Sequence, residues 1–423
     1  MPSNDRLIVF FIPPEKIVNG GILSIFSICE QSRKFKKIHG SEVVLSTYPG
    51  TNSYRKNDLF ENDETIYSFD EIVEKGIPAS LQLHIPEYAS YDIFMALSKY
   101  SKYIKAIADL RVNIMTQNIL LMQKPSEVAS WFALTPHVTQ TTAHNKYTTQ
   151  ELADSYYTPV FHLSTFVDPS QYHWVAYKNK KNIIGLSPDI SEKKELIVKS
   201  LGKTLTNYKI VPIENMRYSE YKEFISTAKF IITFGEGFDG YYVEPFMSGG
   251  VTFAVYNDDF FPSKEFSKFE NVYTNNNAML NNVAQDIRRL DNELSYEKLV
   301  TKNFDHIKKL YNFASYQENI KKFYLGKFTY APQKGSAERL IGVVVADKNK
   351  TIESLGETIG QKENEIRARN KVIEDLGETI GQKENEIRAR NKVIEGMETS
   401  ISWKITDPLR KASAVVKVRN KKE

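Results

Sequence analysis

The chain has 423 residues, 41% of them apolar, with 24 Phe and 24 Tyr; this excludes a disordered protein and predicts two globular domains plus additions. One cysteine, Cys29, excludes an intrachain disulfide framework and fits a reducing compartment. The net charge of +4 is uneven: over 404–423 seven Lys/Arg stand against two acids, so this tail carries +5, the rest is near −1, and nucleic acid is not expected as a partner.

The first apolar run, 7–12, is too short for a signal segment and reads as a strand. No run approaches the ~18 apolar residues of a membrane span, so a cytoplasmic, peripheral protein is expected. Strands are predicted at 7–12, 42–47, 79–85, 111–117 and 158–164, with helical patterns in GILSIFSICEQSRKF and YDIFMALSKYSKYIKAIA. His84 stands at a strand end, either facing a cleft or as a structural histidine. His137 and His144 fall in what reads as a polar loop, TPHVTQTTAHNKYTTQEL. After a break at VDPSQYHW, strands follow at 181–187, 208–213, 229–235 and 250–257, separated by SEKKELIVKSLGKTL and SEYKEFISTAK. Two such alternating series predict an α/β chain with parallel sheets in two Rossmann-like domains, 1–176 and 177–345, the second with closing helices.

The stretch EGFDGYYVE, 236–244, places two carboxylates eight positions apart. Ser219 reads as the cap of the preceding helix, the next strand ends at Phe234, and a further helix begins near Glu244 with Pro245 in its first turn. Glu236 then lies just past the carboxyl end of a parallel strand, where open α/β sheets bind ligands. A helix N-terminus there suits a diphosphate. Gly235, Gly237 and Gly240 allow close backbone approach. A carboxylate at this edge can accept hydrogen bonds from the vicinal hydroxyls of a ribose or sugar. No Cys/His cluster has ligand spacing, and Asp258-Asp259 has no third acid nearby, so neither metal nor cofactor is expected.

Residues 355–374 recur unchanged at 376–395, a period of 21 or three heptads. With Ile352 at position a, Ile359, Ile366, Ile373, Ile380, Ile387, Ile394 and Ile401 share that position, which predicts a coiled coil over 348–401, about 75 Å long at ~1.5 Å per residue. Gly356, Gly360, Gly377 and Gly381 each cost about 1 kcal/mol of helix propensity, so self-association is expected, as two or three strands. The tail, 402–423, combines Trp403, Ile405, Leu409, Val415, Val416 and Val418 with its positive charge. It reads either as a basic amphipathic helix on a membrane surface or as a frayed, solvated basic tail, and the first is the expectation.

The string EGFDGYYVEPFMSGG, 236–250, resembles the donor-binding signature of GT-B glycosyltransferases, particularly family 4, and IVPIENMRYSEYKEFISTAKFIITF is similar to the family's approach to it. Asn19-Gly20-Gly21-Ile22 is similar to the family's glycine loop. The resemblance implies a retaining, metal-independent enzyme in which Glu236 contacts the transferred sugar and Glu244 the nucleotide ribose. Gly20, Gly21, Gly235 and Gly237 would line the donor; His84, counted with Glu236 as catalytic, would hydrogen-bond the donor sugar or acceptor where it faces the cleft. In GLSPDISEKKE, 185–195, Lys193 matches the family's diphosphate lysine. Leu186 stands where the family has arginine, leaving Lys181, Lys194 and Arg217 as candidates for that charge; of these Arg217 is counted with the donor site. The tail segment ISWKITDPLRK resembles those of enzymes of bacterial surface-polysaccharide assembly. It implies a hexosyl- or deoxyhexosyltransferase of the O-antigen, lipopolysaccharide or capsule kind at the inner face of the cytoplasmic membrane. The partners so implied are a nucleotide-sugar, a lipid-linked glycan acceptor, a second copy through the coiled coil, and other assembly enzymes. A non-catalytic scaffold of the same fold, recruiting partners through the coil, is the alternative. A nicotinamide-dependent oxidoreductase is disfavoured because no G-x-G-x-x-G follows the first strand.

Overall fold

The computed structural model describes residues 5–60 and 62–419. It divides into two units, Met1–Val344 and Val345–Glu423.

The first unit holds two sheets. Strands β1 (Arg6–Ile12), β2 (Glu42–Thr47), β3 (Ile66–Tyr67), β4 (Ser80–Pro86), β5 (Asp109–Thr116), β6 (Val138–Thr142) and β7 (Val160–His162) form one, in the order β3-β2-β1-β4-β5-β6-β7. Strands β8 (Lys181–Leu186), β9 (Lys209–Pro212), β10 (Ala228–Ile232), β11 (Val251–Val255) and β12 (Val272–Tyr273) form the other, in the order β12-β11-β10-β8-β9. Every pairing is parallel. Parallel sheets are covered on both faces, and β1 shows why its sequence is apolar throughout. Ile8, Phe10 and Ile12 pack to one side with Ile25 and Cys29, while Val9 and Phe11 pack to the other with Phe69 and Ile93.

Helix α1 (Gly20–Lys34) follows β1. Asn19 caps it by accepting the Ile22 N–H at 2.8 Å, and Ile22, Ile25, Phe26 and Cys29 turn inward at helical spacing. Burial pushes the Cys29 thiol up to about 12, so it is an apolar filler without nucleophilic character. On the second sheet lie α2 (Lys194–Thr204), α3 (Tyr218–Thr227), α4 (Gly240–Met247), α5 (Asn276–Leu290) and α6 (Glu293–Leu310). Helix α7 (Phe313–Tyr324) returns to the first sheet, where Tyr316 meets Ser27 at 3.0 Å and the Tyr324 hydroxyl donates to Ser32 at 2.8 Å.

Three local expectations are corrected. The polar loop around His137 and His144 contains an interior strand, β6, whose polar side chains are paired. Gln140 donates to Thr158 at 2.8 Å and Asn113 to Thr141 at 3.1 Å, so threonines fill positions that hydrophobicity alone would not nominate. The single helix expected from YDIFMALSKYSKYIKAIA is interrupted by a 3-10 turn at Ser98–Tyr100. The cap expected at Ser219 lies two residues earlier, at Arg217, whose N–H donates to Glu220 at 2.8 Å.

Helix α8 (Ser336–Thr399) buries only Ser336 and Leu340, both within the first unit. Beyond them the position-a isoleucines stand in solvent, from 50% exposed at Ile394 to 67% at Ile352. Intrahelical pairs decorate the surface, Lys362 with Glu365 at 2.9 Å and Lys383 with Glu386 at 3.1 Å. Helix α9 (Ile401–Arg419) follows. The tail expectation that rests on Trp403, Val415, Val416, Val418 and 420–423 lies outside the described side chains. No helix among the described residues is long and apolar enough to cross a membrane.

Candidate functional site

In each sheet strand order reverses beside one pair of strands, β1/β4 in the first and β8/β10 in the second. Crevices open at the carboxyl ends of such pairs. Gly20, Gly21 and Glu87 follow β1 and β4; Asp189 and Glu236 follow β8 and β10. The two crevices face one another, because the Asn118 side chain after β5 donates to Glu236 Oε1.

Glu236 is half-buried. Burial, then the charges of Asp239, Asp189 and Glu87, push its carboxyl up to about 7, while the Asn118 hydrogen bond opposes them. The loop carrying it depends on glycine. Gly237 has φ +95°, and a Cβ there would lie 2.6 Å from the Val255 carbonyl and from the Phe261 ring. A Cβ on Gly235 would lie 2.8 Å from the Asp189 carboxylate.

Helix α4 begins four residues before the expected start. Asp239 caps it, accepting the Tyr242 N–H at 2.9 Å, and burial followed by Asp189 pushes this carboxyl up to about 7. Pro245 therefore sits inside the helix. The Tyr241 carbonyl, which a residue-245 N–H would otherwise engage, instead takes the Thr252 hydroxyl at 3.4 Å. Glu244 lies a turn inside α4 and is 4% exposed. The Tyr218 hydroxyl reaches its Oε1 at 3.4 Å and meets the Tyr172 hydroxyl at 2.6 Å; Oε2 has no partner among the described residues. Burial pushes the Glu244 carboxyl up to about 8. A Cβ on Gly240 would stand 3.0 Å from this carboxylate, so the glycine makes its room.

The glycine loop opens α1. A Cβ on Gly21 would meet Gln117 at 2.8 Å, whereas Gly20 faces open space. Of the cations, Lys193 occupies the cap position of α2 and is half-buried. The Lys194 ammonium is committed to the carbonyls of Ser187 at 2.7 Å and Asp189 at 2.9 Å. Arg217 is exposed at the start of α3. Lys181 opens β8, the end of the strand away from the crevice, and Leu186 is a 4% exposed core residue. Strand direction thus removes Lys181 from the diphosphate candidates.

His84 is not brought to this group, contrary to the expectation that it faces the cleft. It is 1% exposed, stacked on Phe10 with ring centroids 4.1 Å apart, and bonded to Asn113 at 3.2 Å. Burial pushes it down to about 3, so the ring is neutral and sealed from solvent. His144 lies edge-on to Phe260, and His137 is exposed.

Sequence reasoning missed Glu87, Asn118, Asp189 and Asp239. It also missed a second tie between the sheets, in which Lys146 donates to Asp258 at 2.6 Å and the Tyr147 hydroxyl to Asp259 at 2.6 Å. The site is a wall of carboxylates that accepts hydrogen bonds from hydroxyls, flanked by the cationic start of α2. Among the described residues no group of three His, Cys, Asp or Glu is arranged to hold a metal ion.

No family model and no curated protein sequence matches the chain. Solved structures do. A crystal structure of TarM is similar with a TM-score of 0.52 at 10% identity, over 75% of this chain and 98% of that one. A mutant of TarM from S. aureus, in complex with fondaparinux, alpha-GlcNAc-glycerol and UDP, gives 0.51 at 10% identity over 75% and 99%. Sucrose-phosphate synthase from Thermosynechococcus elongatus gives 0.48 at 9% identity over 76% and 98%. At such identities the likeness is one of fold: the first unit is an α/β chain of parallel sheets like the GT-B structure of TarM.

Proposed function

We propose that the chain transfers a hexosyl or deoxyhexosyl unit from a nucleotide-sugar, with retention and without a metal ion, to a lipid-linked surface-polysaccharide acceptor of the O-antigen or capsule kind. The supporting observation is that Glu236, just past β10 at the β8/β10 crevice, meets Asn118 of the first sheet across the cleft. In this reading Glu236 accepts hydrogen bonds from the transferred sugar, and the unpartnered Oε2 of Glu244 accepts from the ribose. Lys193, Arg217 and the N-terminus of α2 take the diphosphate, whose growing charge they stabilise as the sugar departs. Gly20 leaves room for the donor. The ligands in the TarM complex, UDP and a sugar on glycerol, are of the classes proposed here.

The same reading places the protein at the inner face of the cytoplasmic membrane. Residues 348–401 would self-associate and recruit other assembly enzymes, 402–423 would rest on anionic lipid, and the 21-residue repeat would act as a spacer. A non-catalytic scaffold is the second reading, favoured by buried Leu186 in place of a cation and by the tyrosines over Glu244. Thermal shift with a panel of UDP-, GDP- and dTDP-sugars separates the two. One donor raises the melting temperature of the wild type and loses that effect in Glu244→Ala; a panel without any shift supports the scaffold.

A further inference from the structure

Asn118 is held at three points. Its backbone N–H donates to Glu87 Oε1 at 2.8 Å, its Oδ1 accepts the Leu120 N–H at 2.9 Å, and its side-chain amide donates to Glu236 Oε1. With the oxygen committed to Leu120, the amide is oriented and its donor points across the cleft. Glu87 is itself 2% exposed at the end of β4, so the turn after β5 is anchored to the neighbouring strand end. Residues 118 positions apart, on different sheets, thus meet at the carboxylate.

We propose that Asn118, locked in place by Glu87, is the positioning residue for Glu236, and that the site is complete only when the two sheets face each other as they do here. The inference rests on the reading of Glu236 as the carboxylate that contacts the transferred sugar. An amide suits this task because it orients the carboxylate while leaving its charge available. The charged groups facing Glu236 are Asp239 from α4, Asp189 after β8 and Glu87 after β4, all acids that oppose its ionisation. The Asn118 donor acts the other way. Removing the donor and removing one of the acids must therefore move Glu236 in opposite directions.

The test uses the full chain with Asn118→Ala and with Glu87→Gln, whose amide oxygen still accepts the Asn118 N–H. Two quantities are read: the pH profile of sugar transfer, and the titration of the 13C-labelled Glu236 carboxyl, assigned by its loss in Glu236→Gln. Glu236 works as a carboxylate, so activity falls as pH drops through its pKa. Asn118→Ala moves that fall to higher pH by about one unit and lowers kcat about tenfold, with the donor KM within about twofold. Glu87→Gln moves the fall to lower pH. Shifts in one direction, or none in either readout, overturn the positioning role while leaving glycosyl transfer standing. If the wild type transfers nothing from any donor, the function reading falls instead, and the carboxyl titration alone decides whether Asn118 governs Glu236.

Discussion

At Glu244 stability and function pull apart. Its carboxyl is held at about 8 by burial, well above an ordinary carboxylate. The folded state therefore favours the protonated form, and this stabilisation is full below about pH 4.5 and is lost as pH rises through about 8. Glu87, Glu236 and Asp239, each pushed up to about 7, add to the same trend. Glu244→Gln keeps an oxygen beside Tyr218 and removes the charge. Calorimetry should find it about 1–2 kcal/mol more stable than wild type at pH 8.5, a rise of roughly 1–3 °C for a unit of this size, and nearly unchanged at pH 5. The same variant should bind nucleotide-sugar more weakly. A loss of stability at pH 8.5 would contradict this reading of the site. The glutamate pair and its glycines were legible because they lie within fifteen consecutive residues. Asn118 and Glu87 were not, since each meets its partner through the fold. Both do stand just past a parallel strand, and the rule that singled out Glu236 would have nominated them had the strand order been known.

At the scale of elements, apolar runs such as 7–12 and 42–47 announced their strands, whereas β6 stayed hidden because its buried polar side chains find partners outside the strand, Gln140 donating to Thr158 and Thr142 meeting Thr148. The start of α4 was misplaced because Pro245 reads as a first-turn residue, while Asp239 supplies the cap. Helix α8 poses a different question, since its isoleucine row from Ile352 to Ile394 is half exposed or more. Burying each isoleucine contributes about 1.5–3 kcal/mol, against about 1 kcal/mol lost at each glycine in the helix. Association with a second copy through this row, as proposed above, would offset the glycine cost. In sedimentation experiments the full chain should be an oligomer, and Ile366→Lys combined with Ile387→Lys should reduce it to a monomer with the first unit still folded. A wild-type monomer at 100 μM, on the order of the concentration at which weak coils associate, would contradict the pairing.

At the scale of the molecule, the two sheets of the first unit share a core. One apolar cluster joins Ile8 and Phe10 of β1, Tyr221 of α3, Ile231 of β10 and Phe323 of α7. The return of α7 to the first sheet was not legible, because an amphipathic helix does not say which sheet it will cover. This shared core fixes the two crevices opposite each other, with Asn118–Glu236 and Lys146–Asp258 as ties across them. The central claim is that a carboxylate held between two sheets assists transfer of a sugar. Its most direct test is product formation from the stabilising nucleotide-sugar and a lipid-linked glycan, wild type against Glu236→Gln at saturating donor. Transfer by the wild type with the anomeric configuration kept, and a fall of about a hundredfold or more in Glu236→Gln, is the predicted result. Equal turnover by the two proteins, or no transfer by either, would contradict it.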